Sequence, residues 1–427
     1  MIGDSLIKTT FVSAAGTMSK FLALVGINKI FSIYLGPAGF FLVGQFQNLM
    51  QVFSAASPLT VQAGIIKYTT DFSNEENSSK LIRLWKTVSF YSVVISIFLV
   101  FISIIFGSNI STLFFESTKY YPFIILFSFL FVFFCFNNLL LSILNGKKEV
   151  LTLTYANIVG SIISITLIFF LVESLGSIGA LYALVSYQAV AFLGTLLLCC
   201  KKEWFSIKIF FGTFDKESTM LLSKFFAMSF VTACCVPIMQ LIIRSNISSE
   251  FSIEYAGYWE AITRISAVNL MFASSVLTVY FLPRFSEIDN RQLLFEELKQ
   301  AYLFISPLLL LGLSLIYLYK ESIVLLLFSK DFLIISDLLF WQLVGDFLRI
   351  NSFILSYIFL SKAITKIYII SEIVFTCIFV VLALIFLKLV SFESVFLSYA
   401  AGYLLYFFFL TYVMFIRKNN ISVSYFS

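Results

Sequence analysis

The stretch WQLVGDFLRI (341–350) sets Asp346 and Arg349 three residues apart in the middle of an apolar run from Phe332 to Leu360. Glu260 and Arg264 stand four apart in a similar run, Glu372 sits in another, and Lys20, Lys29 and Lys224 lie in two more. At helical spacing, residues i and i+3 or i+4 share one face, so each acid–base pair can partly neutralise itself. Turned toward hydrocarbon, each charge would cost roughly 3 kcal/mol near mid-bilayer, so all eight are expected to face protein or water. Five cations (Lys20, Lys29, Lys224, Arg264, Arg349) against three carboxylates leave a positive surplus. A cavity lined by them attracts an anion, and phosphate suits ammonium and guanidinium groups alike. The carboxylates Glu260, Asp346 and Glu372 are the groups on which a proton or a sodium ion could ride. Glu372 has no basic residue one turn away, which makes it the first choice for H+ or Na+ coupling.

Neutral polar residues run alongside these charges. Gln342, Asp346, Arg349, Ser352 and Ser356 follow at steps of 4, 3, 3 and 4, a stripe along one helical face. Gln47, Gln51, Ser54, Pro58 and Gln62 make a second stripe, and Thr154, Asn157, Ser161 and Ser164 a third. Such stripes serve either helix-to-helix hydrogen bonding or a hydrated cavity, and three of them beside lysines with no acidic residue one turn away in the sequence favour the cavity. Gln47, Gln51 and Asn157 are candidate contacts to a neutral polar group.

The elements that must position these residues follow from the solvent. With 60% hydrophobic and 12% charged residues in 427, and a mean hydropathy of +1.00, the chain reads as an all-α integral membrane protein. A hydrocarbon core of roughly 30 Å needs about 20 apolar residues per helix. Twelve runs meet that length: 9–34, 38–66, 86–107, 120–145, 149–172, 177–200, 218–244, 255–283, 299–319, 332–360, 366–388 and 394–416. The first keeps Lys20 and Lys29 and has no small-residue cleavage site, so it reads as a span rather than a secretory signal. Eighteen of the 28 basic residues fall on one set of connections, among them Lys8, Arg291, Arg417 and Lys418, and five, Arg244 included, fall on the other. That bias predicts cytoplasmic termini.

Weak internal echoes divide the chain into two six-helix halves, 1–205 and 206–427. SKFLA at 19–23 returns as SKFFA at 223–227, and AGF at 38–40 returns as AGY at 256–258. Repeats with a site between them are a recurrent transporter design. The six cysteines form no C-x-x-C pair and read as small packing residues, so no metal and no cofactor is expected. Histidine is absent, as are a Gly-rich phosphate loop and any connection long enough for a soluble catalytic domain, which argues against an enzyme. No soluble basic module points to nucleic acid.

WQLVGDFLRI, LGPAGFFLVGQFQNL (35–49) and VYFLPRFSE (279–287), on a twelve-span chain of this length, resemble the lipid-linked oligosaccharide flippases that handle O-antigen and enterobacterial common antigen units. These belong to the multidrug, oligosaccharidyl-lipid and polysaccharide exporter (MOP) superfamily. The resemblance implies two six-helix lobes forming a V around a central cationic cavity in the bacterial inner membrane. It implies a substrate of undecaprenyl-diphosphate-linked oligosaccharide, flipped to the periplasmic leaflet by alternating access. The implied partners are membrane lipids, an O-antigen polymerase and a chain-length regulator. A small-molecule or multidrug antiporter of the same fold is the alternative reading, followed by a membrane-embedded polysaccharide polymerase.

Overall fold

The computed structural model describes residues 2–72, 78–288, 290–362, 364–389 and 391–415; the side chains of Lys8, Lys224 and Arg291, and residues Arg417 and Lys418, lie outside the described set. Where a backbone has no water to bond, its N–H and C=O groups must be paired within the segment, and the long apolar runs are mainly helical. In order they are α1 (Ile2–Ala55), α2 (Gln62–Asp71), α3 (Ser78–Phe115), α4 (Tyr121–Gly146), α5 (Val150–Cys199), α6 (Lys216–Glu250) and α7 (Ile253–Val276). There follow α8 (Leu282–Glu287), α9 (Arg291–Leu318), α10 (Lys320–Leu327), α11 (Ile335–Ser361), α12 (Thr365–Leu389) and α13 (Ser394–Phe415). The chain is an all-α multi-pass membrane protein.

Among the described residues, nine helices are long and apolar enough to cross a membrane. Two of them, α1 and α5, hold two of the expected spans each. Gly36 (φ 61°) interrupts α1 and Gly176 (φ 57°) interrupts α5, both in the left-handed region that glycine enters without a Cβ penalty. Pro37 then opens the second half of α1, a position where its missing N–H is no loss. The eighth expected span is α7, continued by a π-helical turn at Leu277–Phe281 and by α8. Each of the twelve expected spans is thus mainly helical, and the second, 38–66, is broken after Ala55 by a turn and a 3-10 turn at Pro58–Val61 ahead of α2.

Contacts divide the chain into two compact units, Met1–Pro237 and Ile238–Ser427. The division falls inside α6, at a proline whose absent N–H breaks the ladder of helical hydrogen bonds. In the first unit α1 packs on α5, α5 on α4 and α4 on α3. The connection after α5 is docked rather than loose: Trp204, Phe205 and Phe210 pack into the buried clusters of this unit. Lys202 Nζ lies 2.6 Å from Glu149, just ahead of α5. Burial alone would raise the Glu149 carboxyl, but Lys202 and the Trp204 indole N–H outweigh it and hold the group below its ordinary range. In the second unit α11 is central, packed against α7, α9 and α13, with α12 on α13.

Candidate functional site

In the second unit the charges of α7 and α11 meet partners from neighbouring helices. Asp346 is fully buried (0% exposed). Its Oδ2 accepts from Asn269 Nδ2 of α7 at 2.9 Å, and its Oδ1 accepts from the Tyr399 hydroxyl of α13 at 3.1 Å. Arg349 Nη1 donates to the same Tyr399 hydroxyl at 3.2 Å. Tyrosine, rather than direct contact, therefore joins the two charges of WQLVGDFLRI. Gly345 makes this possible: a Cβ there would stand 2.1 Å from the Tyr399 ring, so only glycine lets α13 approach closely enough. The Arg349 guanidinium also lies 5.4 Å from the ring centroids of Phe353 and Tyr403, within cation–π range. Its Nε is buried with no hydrogen-bond partner among the described residues.

One turn deeper in the sequence stripe, Gln342 Nε2 donates to Ser266 Oγ of α7 at 2.7 Å. Glu372 of α12 is half-buried, and its Oε1 accepts from the Tyr406 hydroxyl at 3.2 Å. Tyr399, Tyr403 and Tyr406 thus arm one face of α13 toward Asp346, Arg349 and Glu372. Their spacing of 4 and 3 in an apolar run was the available signal, and the sequence reading passed over it.

Glu260 behaves differently from Asp346. One of its oxygens accepts from Arg264 Nε at 2.9 Å and the other pairs with Arg244 Nη2 of α6. Arg244, read from sequence as a residue of an outer connection, is instead 1% exposed inside α6, 5.4 Å from the Trp259 ring centroid. The reason for the difference is that α6 runs on to Glu250, so Arg244 never leaves the helix. Two arginines share one carboxylate, so the triad retains a single positive charge.

The first unit holds a cavity of about 340 Å³ between α1, α4 and both halves of α5. Lys20 and Asn157, predicted as site residues, both line it, together with Asn137, Asn138, Tyr187 and Gln188. Asn137 Nδ2 donates to Gln188 Oε1 at 3.1 Å, and Gln188 Nε2 donates to the Tyr187 hydroxyl at 3.0 Å. Lys29 and Gln47 are half-buried and Gln51 is exposed, and none of the three lines this cavity. Lys224 lies on α6, its side chain outside the described set. The predicted site residues therefore fall into separate groups: Lys20 with Asn157, Arg264 with Glu260, and Asp346 with Arg349 and, through α13, Glu372.

No family model matches the chain. The lipid III flippases of Escherichia coli (strain K12) and Shigella flexneri are each 25% identical to it over 369 residues, 86% of this chain and 88% of theirs. An inward-facing multidrug resistance MATE family transporter of the MOP superfamily matches with a TM-score of 0.78 at 15% identity, over 94% of this chain and 96% of that one. The chain thus shares the fold of that transporter. Lipid II flippase MurJ, in an inward closed conformation, matches with a TM-score of 0.71 at 18% identity over 98% of this chain and 89% of its own. The relatives and structural neighbours are named as flippases and transporters, in line with the expectation of a transporter rather than an enzyme.

Proposed function

We propose that this chain flips an undecaprenyl-diphosphate-linked oligosaccharide, of O-antigen or related type, from the cytoplasmic to the periplasmic leaflet of the bacterial inner membrane. The observation that carries the reading is Arg349: a guanidinium held in a membrane-spanning helix by tyrosines, with a buried N–H still unpaired. A buried donor left unmet is costly. A free one suits a phosphate oxygen.

The physical task is narrow. The polyprenyl tail can remain in lipid, while the diphosphate and sugars are too polar to cross hydrocarbon unaided. Lys20, Lys29, Lys224, Arg264 and Arg349 serve as the cationic contacts, and Gln47, Gln51 and Asn157 as sugar contacts. The two six-helix lobes, 1–205 and 206–427, rock around a central cavity to give alternating access. Both termini face the cytoplasm. Direction comes from an H+ or Na+ gradient read by Glu372, Asp346 or Glu260, and an O-antigen polymerase and chain-length regulator take over the flipped unit.

The MATE likeness gives the multidrug antiporter as a second reading. Purified protein reconstituted with fluorescent undecaprenyl-diphosphate glycan separates them. Loss of the label from the outer-leaflet quenching assay, dependent on protein, is the expected result. Gradient-driven movement of cationic drugs with no movement of the lipid would overturn the flippase reading.

A further inference from the structure

The cavity of the first unit has a chemistry of its own. Its polar lining is dominated by amides (Asn137, Asn138, Asn157 and Gln188), each carrying a donor and an acceptor, the combination that matches a sugar hydroxyl. No carboxylate lines it, so nothing there favours a metal ion or a cationic drug, and Lys20 is its one cation. Around these stand small side chains, Ala23, Ala156 and Ala191, that leave the walls open to close approach.

Two of the amides have capacity to spare. Asn137 is 4% exposed, its Nδ2 is committed to Gln188, and its Oδ1 is buried with no partner. A buried carbonyl without a donor is costly unless something supplies one. Asn157 is half-buried and makes no hydrogen bond among the described residues. The Asn137–Gln188–Tyr187 chain, meanwhile, fixes the orientation of the remaining groups. At about 340 Å³ the space lies at the small end of ligand cavities, fit for one ring rather than a whole oligosaccharide.

We propose that this cavity is a single-sugar subsite: it seats the diphosphate-linked first pyranose of the head group, Asn137 Oδ1 and Asn157 bonding its hydroxyls and Lys20 meeting the adjoining phosphate. The assignment rests on the flippase reading above and adds a place for one sugar within the first unit.

The test is equilibrium binding to the full chain in lipid nanodiscs, with undecaprenyl diphosphate and undecaprenyl-diphosphate-linked N-acetylglucosamine as probes. The parent protein is expected to bind the glycosylated probe about tenfold more tightly, the worth of one or two well-made hydrogen bonds. Asn157→Leu should shrink that preference to about twofold while leaving the bare diphosphate unchanged. Gly160→Leu acts by filling instead of by removing a bond, since a Cβ at Gly160 meets only Ala191, at an ordinary 3.8 Å, and it should have the same effect. Lys20→Gln should weaken both probes alike. Equal binding of the two probes by the parent, or a preference that survives both the Asn157 and Gly160 variants, overturns the subsite and leaves the flippase reading standing. Failure of the parent to bind either probe overturns both.

Discussion

The two units keep their polar groups in contrasting ways. In the first, the polar interior is made of neutral amides and hydroxyls, as in the Asn137–Gln188–Tyr187 chain and the buried Ser103–Ser128 pair (2.7 Å), and some capacity is left unfilled. In the second, carboxylates and guanidiniums are drawn inside and almost every one is answered: Glu260 by two arginines, Asp346 by Asn269 and Tyr399, Glu372 by Tyr406. The difference follows from energetics. A neutral amide can be left half-bonded for a few kcal/mol at most, whereas a buried charge is tolerated only when paired. Spare capacity on a neutral group in the first unit thus costs less than an unanswered buried charge would, and in the second unit the buried Nε of Arg349 has no hydrogen-bond partner among the described residues.

The largest expected effect is at Arg349. Arg349→Ala should abolish translocation in a reconstituted assay with protein levels near normal, and Arg349→Lys should recover only part, since the planar fork is lost. If Arg349 only balances Asp346, the double variant Asp346→Ala/Arg349→Ala should restore transport, which would move this arginine from the substrate to the scaffold.

Next is the Glu260 triad. Glu260→Ala removes the carboxylate that two buried arginines share and should lower stability by about 3–5 kcal/mol, read by thermal unfolding in detergent. Replacing the whole triad with apolar residues, Arg244→Met/Glu260→Leu/Arg264→Met, should recover most of that loss. A stable triple variant that transports normally would remove Arg264 from the cationic contacts. A stable but inactive one keeps it there.

A smaller effect is expected at Glu372, where a carboxyl accepts from the Tyr406 hydroxyl. Glu372→Gln mimics the protonated carboxyl and should blunt the response of flipping to an imposed proton or sodium gradient, while binding of the lipid-linked glycan is spared. An unaltered gradient response would reduce the Glu372–Tyr406 contact to a structural hydrogen bond. Smallest of all is the first unit's Ser128→Ala, which removes one neutral hydrogen bond to Ser103 and should cost about 1 kcal/mol in the same unfolding measurement. A loss as large as that of Glu260→Ala would erase the contrast between the units.

Much of the candidate site was legible along the chain. Asp346, Arg349, Glu260, Arg264 and Glu372 announce themselves because charges in apolar runs are rare, and Lys20 and Asn157 do meet in one cavity. What was not legible is who answers whom. The spacing of Asp346 and Arg349 suggested a pair within one helix, yet the hydroxyl of Tyr399, some fifty residues on, stands between them. Arg244 looked like a residue of a connection because apolar length locates a helix end only to within several residues.

The sequence by itself determined the twelve helical spans and the charges that cannot face lipid. Hydrocarbon imposes helix on any apolar run long enough to cross it, and it does so locally, without reference to the rest of the chain. Only the tertiary structure decided that Gly345 admits Tyr399 to Asp346, that Arg244 and Arg264 share Glu260, and that four amides from α4 and α5 enclose one cavity with Lys20. Those contacts depend on which faces of distant helices meet. A period of 3.6 residues says which side chains share a face, but it carries no information on the partner that face will find.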